Sequence, residues 1–287
     1  MKQSISFVLF LSAFLSSNFL KEVSAFTSKK STLTIKSTSQ TTLNMSTSGS
    51  LLISKTSKIS KDGPIRLILA SKSPRRREIL DMMGLKDNYT VLSSPLNEEE
   101  LQQELSQLLN DSKEDATKSF TPIDYTKKLA ESKAYALVVE MVDDKSELSK
   151  SYSHKCTYVL GSDTIVELNG SILEKPKNSD DAKMMLSKLS GNWHSVHTGV
   201  AIYRINHDVE NKVELLSSFT DTARVLFTHL SPEDIHSYIE TGEPMDKAGS
   251  YGIQGIGGQM VQQLNGDFFT VMGLPMNRVS KELANVI

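Results

Sequence analysis

The sequence is poor in the residues that usually announce a metal or redox centre. With one cysteine in 287 residues, Cys156 can form neither an internal disulfide nor a thiolate metal site. There are only six histidines and one tryptophan. His194 and His197 stand three apart within an expected strand, so they face opposite sides and cannot chelate one ion together. Trp193 reads as core or rim packing rather than as a base-stacking platform. No Walker sequence, no placeable Ser-His-Asp arrangement, no zinc-ligand spacing and no internal repeat occurs. A membrane-length apolar run is also missing, since the stretch from Ile5 to Leu20 is short and broken by serines. Positive charge is scarce where a nucleic acid would need it. The net charge of −2 conceals seven lysines and one acid in residues 1–60, which leaves the remainder with 25 basic and 33 acidic side chains. A body of net charge −8 does not offer duplex nucleic acid a broad face.

What is present begins with an address. Met1 and Lys2, the apolar stretch to Leu20 and the small residues Val23-Ser24-Ala25 follow the order of a secretory signal, here assigned to residues 1–25. From Phe26 to Lys61 there is no acid at all, only a crowd of Ser, Thr and Lys too polar to pack. Residues 26–62 therefore read as a transit-peptide-like leader, and the folded domain is expected over 63–287. Ser24-Ala25-Phe26 resembles the junction in bipartite leaders directed to complex plastids. The alternative is ordinary secretion with a disordered N-terminal arm.

The folded part opens on an almost wholly apolar run, Ile65 to Ala70, the pattern of a strand buried on both faces. Ser71, Ser73 and Pro74 then lead into a helix with Ile79, Leu80 and Met83 apolar and Gly84 as its stop. Arg75, Arg76 and Arg77 crowd the first turn, where positive charge opposes the helix dipole. Such a cluster makes sense if a polyanion sits there, held by serine hydroxyls, free N–H groups and guanidinium forks. The bland alternative is a solvated basic turn, and this stretch alone weighs the two equally.

Downstream, Tyr89 to Leu92 reads as a strand, and Glu98-Glu99-Glu100 opens a helix ending near Leu109. Residues 110–120 and 143–155 read as polar loops around a long helix starting at Pro122. Tyr158 to Leu160 is a strand expected to stop at Gly161-Ser162-Asp163-Thr164. It resumes at Ile165 and turns at Asn169-Gly170. A helix over Asp180–Leu189 precedes two long β runs, Trp193–Ile205 and Val213–His229, expected to pair antiparallel. Ser231-Pro232 caps another helix. Asn265-Gly266 reads as a hairpin, and a final helix starts near Pro275. Long neighbouring β runs among helices point to an α/β fold with a mixed sheet rather than pure βαβ winding.

Taken singly, the candidate chemical residues are ambiguous. Asp163, just past a buried strand, suits a metal ligand or a base, but a turn-forming aspartate is the commoner fate. Lys133 and Lys175 read equally well as solvated lysines. Taken together they are specific. The series Leu69-Ala-Ser-Lys-Ser-Pro-Arg-Arg76, Gly161-Ser-Asp-Thr-Ile165, Glu174-Lys-Pro176, Leu189-Ser-Gly191 and Asp246-Lys-Ala-Gly-Ser-Tyr-Gly-Ile-Gln-Gly255 closely resembles the Maf family of nucleoside triphosphate pyrophosphatases, from about Ile65 to the C-terminus.

The resemblance implies a mixed twisted sheet with flanking helices and two lobes around a nucleotide cleft. It also implies hydrolysis between the α and β phosphates, to a monophosphate and pyrophosphate. Asp163 would be the proton acceptor that activates water. Ser71, Arg75, Arg76, Lys133, Lys175 and Lys247 would hold the triphosphate. Glu98, or its neighbour Glu99, would join Asp163 in binding a divalent ion, Mg²⁺ or Mn²⁺. In the subgroup acting on dTTP, UTP and modified pyrimidines, the distinguishing positions carry Arg, Thr and Gln, here Arg75, Thr164 and Gln254. The 7-methyl-GTP subgroup carries Trp, Gln and Glu. A glutamine amide can both donate to and accept from a uracil edge. The pyrimidine reading therefore leads. A 7-methyl-GTP or broad-specificity pyrophosphatase and a non-catalytic nucleotide-binding regulator of division are the alternatives. The partners implied are the nucleotide substrate and a homodimer mate, with no nucleic acid and no membrane for the mature form.

Overall fold

The computed structural model describes residues 50–60, 63–114, 119–143, 146, 148, 154–209 and 212–287. The expected signal segment and most of the leader lie outside the described residues, as does part of the 143–155 loop. In chain order the elements are β1 (Ile65–Ala70), α1 (Pro74–Leu80), β2 (Tyr89–Leu92), α2 (Glu98–Glu114), α3 (Pro122–Val142), β3 (Cys156–Leu168), β4 (Ser171–Leu173), α4 (Ser179–Leu189), β5 (Trp193–Asn206), β6 (Lys212–Phe227), α5 (Pro232–Glu240), β7 (Val261–Asn265), α6 (Phe268–Met272) and α7 (Met276–Val286).

One mixed sheet of seven strands runs in the order β2-β1-β3-β5-β6-β7, with β4 also paired to β3. β2, β1 and β3 are parallel, and every later pairing is antiparallel, including the expected pairing of β5 with β6. Alternate residues of β1 feed two cores. Leu67 and Leu69 pack with α1 and α7, whereas Ile68 and Ala70 pack with α3. Loop chemistry places the helices. Thr121 with Asp124, and Ser231 with Asp234, form reciprocal capping boxes at the starts of α3 and α5. Asn169 and Gly170, both at positive φ, make the tight β3–β4 turn.

Four expectations are corrected. The folded body starts before Gly63: Leu52 and Ile59 are fully buried, and the Leu52 N–H donates to Ser280 Oγ of α7. Burial of two large aliphatic side chains, worth roughly 1.5–3 kcal/mol each, outweighs the polarity around them. α2 runs on to Glu114, through the first five residues of the expected 110–120 loop, because Leu101, Leu105 and Leu109 keep one face buried. β3 does not stop at Gly161; it is continuous through Asp163 and Thr164, carried by unbroken pairing with β5. Asn265-Gly266 is not a hairpin, since β7 pairs back onto β6 and Gly266 leads into α6 instead.

The continuity of β3 creates the cleft. β1 ends opposite Gly161, and β4, running antiparallel, ends opposite Val166. Between them one edge of β3, carrying Ser162, Asp163, Thr164 and Ile165, has no strand beside it. A gap in a sheet at the carboxyl end of a parallel strand is where ligands of α/β proteins bind.

Candidate active site

Asp163 projects from this gap and is almost wholly buried. Across it, α3 lies unusually close to the sheet because Gly161 and Gly199 present no side chains. A Cβ on Gly161 would stand 2.5 Å from the Ala130 carbonyl oxygen of that helix. The close approach delivers Lys133, whose Nζ lies 2.5 Å from Asp163 Oδ1 and 2.9 Å from Glu98 Oε2. Burial alone would drive the proton off Lys133, but the two carboxylates more than compensate and raise its basicity. Of the three consecutive glutamates, Glu98 is therefore the one that meets the site lysine.

One wall of the cleft comes from the β1–α1 turn. Arg76 is buried and bonded through all three nitrogens: Nε donates to the Gly273 carbonyl, one terminal nitrogen to Ser71 Oγ and the other to Thr164 Oγ1, which leaves two of its five N–H groups for a ligand. Thr164 in turn meets Thr198, whose hydroxyl donates to the Thr270 carbonyl. The Thr164 hydroxyl thus accepts from Arg76 and donates to Thr198, and it helps to hold the arginine. Arg77, by contrast, lines a separate surface hollow with Asp81 and Tyr89.

The opposite wall is the glycine-rich segment. Asp246 accepts from Arg75 at 3.0 Å and from Lys247 at 2.6 Å, so one exposed carboxylate ties the two walls together. Lys247 also donates to the Glu243 carbonyl. Arg75, Arg76, Lys133, Asp163, Thr164, Lys175, Lys247 and Gln254 all line one hollow of about 630 Å³, open water at its mouth included. Ser71, Glu98 and Glu99 line the adjoining hollow, which shares Arg75, Arg76, Lys133 and Lys175. Residues as far as 183 positions apart, Ser71 and Gln254, thus meet at the gap in β3.

The same gap holds an acid that the sequence reading passed over. Glu174 accepts from the Tyr125 hydroxyl at 2.8 Å. Burial first, and the Asp163 charge second, push its carboxyl up to about 7. Its only signal in the sequence is its place before Lys175 in the Glu174-Lys175-Pro176 series. Asp246 and Glu243 were likewise visible only as neighbours of Lys247.

Asp163 Oδ2 is buried with no hydrogen-bond partner, while Oδ1 is taken by Lys133. That free oxygen and the half-exposed Glu98 carboxylate are the donors a metal would find. Among the described residues no group of three or more His, Cys, Asp or Glu forms a ready-made ion cage. So sparse a donor set fits a Mg²⁺-type ion, which keeps several waters and takes its other ligands from substrate phosphates.

A family model described as "Maf-like protein" matches residues 66–286. The "dTTP/UTP pyrophosphatase" of Clostridium perfringens strain ATCC 13124 is 39% identical over 221 residues, covering 77% of this chain and 97% of that protein. The protein of the same description from Aquifex aeolicus is 38% identical over 219 residues, 76% of this chain and 94% of its own length. A human protein described as "Probable bifunctional dTTP/UTP pyrophosphatase/methyltransferase protein" is 39% identical over 224 residues, which take in 77% of this chain but only 32% of the human one. With so much of the chain matched, and with the matched motifs converging on one cleft, this protein belongs to the Maf family.

Proposed function

We propose that the chain is a nucleoside triphosphate pyrophosphatase that hydrolyses dTTP, UTP and modified pyrimidine nucleotides, clearing non-standard nucleotides from the pool. The observation that carries this reading is the setting of Asp163: a buried carboxylate with one oxygen pinned by Lys133 and the other free, facing a hollow lined by arginine and lysine. The names of the relatives support it, since two bacterial proteins covered almost end to end are described as dTTP/UTP pyrophosphatases.

In this scheme Asp163 Oδ2 takes a proton from water as the water oxygen bonds to the α-phosphorus. The bond from that phosphorus to the bridging oxygen breaks, and pyrophosphate leaves with the bond's electron pair. Arg75, Arg76, Lys175 and Lys247 stabilise the charge that gathers on the departing phosphates, in a cleft where water screens it less than in bulk. Lys133 keeps the Asp163 carboxylate oriented. Gln254 faces the base, and a glutamine amide matches the N–H and C=O edge of uracil and thymine. A divalent ion bound by Asp163 and Glu98 would supply further positive charge to the phosphate oxygens.

Pyrophosphate release from a nucleotide panel tests the proposal. UTP or dTTP should be turned over, and Asp163→Asn should lower turnover by about 10²–10⁴-fold, the usual contribution of a positioned general base. Preference for 7-methyl-GTP would replace the pyrimidine assignment. Tight nucleotide binding without product under any metal would favour the non-catalytic regulator, a reading that the complete set of cations and the intact Asp163 argue against.

The leader, a signal segment over 1–25 followed by a transit-peptide-like stretch over 26–62, is proposed to deliver the enzyme to a plastid, with secretion as the alternative. No helix among the described residues is long and apolar enough to cross a membrane. A fluorescent fusion of residues 1–62 should reach the organelle, and a purely cytosolic signal would remove both targeting readings.

A further inference from the structure

Gln254 sits in a segment with almost no regular structure, yet its surroundings are tightly fixed. The Glu243 carboxylate accepts from the Ile256 N–H at 2.9 Å and from the Gly257 N–H at 3.1 Å. The buried Tyr238 hydroxyl donates to the same carboxylate at 2.9 Å and accepts from the Gly252 N–H at 3.2 Å. Glu243 and Tyr238 therefore pin the backbone on both sides of Gln254, two residues before it and two and three after it. Burial opposes ionisation of Glu243, but the N–H donors from Gly257 and Ile256 prevail and hold its carboxyl below the ordinary value. The glycines record how close this packing is. A Cβ on Gly252 would stand 2.6 Å from Lys247 Cε, one on Gly255 2.5 Å from Glu243 Oε2, and one on Gly257 2.6 Å from the Tyr238 hydroxyl.

We propose that Glu243, with Tyr238, is a positioning residue that sets base selectivity by fixing how far Gln254 stands from the phosphate end of the cleft. The inference rests on the nucleotide-hydrolase reading above. Its logic is chemical. Uracil offers N3–H beside a carbonyl, and guanine offers N1–H beside a carbonyl, so a glutamine amide can pair with either. The one N–H and carbonyl pair that a single amide contacts does not separate the two; ring size does, provided the amide is held at a fixed distance. A carboxylate that accepts from two consecutive N–H groups and a tyrosine hydroxyl supplies that fixity. The phosphate end is tied differently: Lys247 is anchored to the Glu243 main-chain carbonyl, which a side-chain substitution leaves in place.

Glu243→Gln keeps the shape but turns an NH₂ toward one of the two N–H donors. Tyr238→Phe removes only the hydroxyl and serves if the first variant fails to fold. Calorimetric binding of UMP, GMP and pyrophosphate to wild type and to each variant makes the test, with pyrophosphate release from UTP measured alongside. The preference of wild type for UMP over GMP should fall by about tenfold in either variant, the scale of one net hydrogen bond, while pyrophosphate affinity stays within about twofold. Loss of UMP and pyrophosphate binding together would mean general damage to the fold and would overturn the inference. So would an unchanged UMP-to-GMP ratio, or a wild type that shows no preference. Preference lost on schedule in a wild-type background that releases no pyrophosphate would uphold the inference and sink the hydrolase reading instead.

Discussion

The two walls of the cleft are built on opposite plans. The β1–α1 wall is regular structure locked by a buried cation, with Arg76 bonded to Gly273, Ser71 and Thr164. The 243–257 wall is a string of single turns held by the Glu243 carboxylate, and its cations at Lys247 and the facing Arg75 are shared with the exposed Asp246. On the first wall, the phosphate binding proposed for Arg76 and its hold on the fold reside in the same side chain. On the second they are separated, because stapling and ligand binding fall to different residues. One wall can therefore vary in what it reads without losing its shape, and the other cannot.

Substitution should expose this difference most sharply at Arg76. Arg76→Ala removes three hydrogen bonds made by a buried side chain, although the Gly273 carbonyl keeps Ser162 and the Ser71 oxygen keeps the Ser73 N–H, and should cost roughly 2–4 kcal/mol of stability as well as activity. Lys247→Ala, on the other wall, should raise KM for UTP while leaving stability within about 1 kcal/mol, because its ion-pair partner Asp246 is largely exposed to solvent. Denaturant unfolding of both variants beside their kinetics makes the comparison; equal destabilisation would erase the distinction drawn between the walls.

A smaller effect is expected at Glu174, where the walls meet: the Gly249 N–H of the second wall donates to its carbonyl. Its carboxyl is held near 7 in the fold, against an ordinary value of 4.5. Between those values the folded state binds the extra proton, so this group's contribution favours folding at low pH and is lost as pH rises through the window. Glu174→Gln should flatten that decline. From pH 5 to pH 8 the melting temperature of wild type should drop relative to the variant by several degrees, at roughly 2–4 °C per kcal/mol for a domain of this size. Parallel curves would show that Glu174 ionises normally.

Legibility in the sequence followed the same divide. Ile65–Ala70, Pro74 at the start of α1 and the paired runs of β5 and β6 were readable because each depends on local pattern and propensity. The errors came where a distant partner overrode the local signal. Gly161-Ser162-Asp163-Thr164 looks like a turn, yet β5 holds it extended. Leu52 sits in a serine- and threonine-rich tract, yet α7 supplies a place to bury it.

By itself, then, the sequence determined the element types, the cationic turn after β1 and, through linked motifs, the family. Tertiary structure alone decided that β3 runs unbroken past the end of β1, that two glycines let α3 bring Lys133 down onto Asp163, and that Glu243 reaches across to fix the segment carrying Gln254. The physical reason is range. Propensity and periodicity act over a few residues, whereas an active-site carboxylate is defined by which cation, which carbonyl and which bare strand edge lie within about 3 Å of it, and those come from anywhere in the chain.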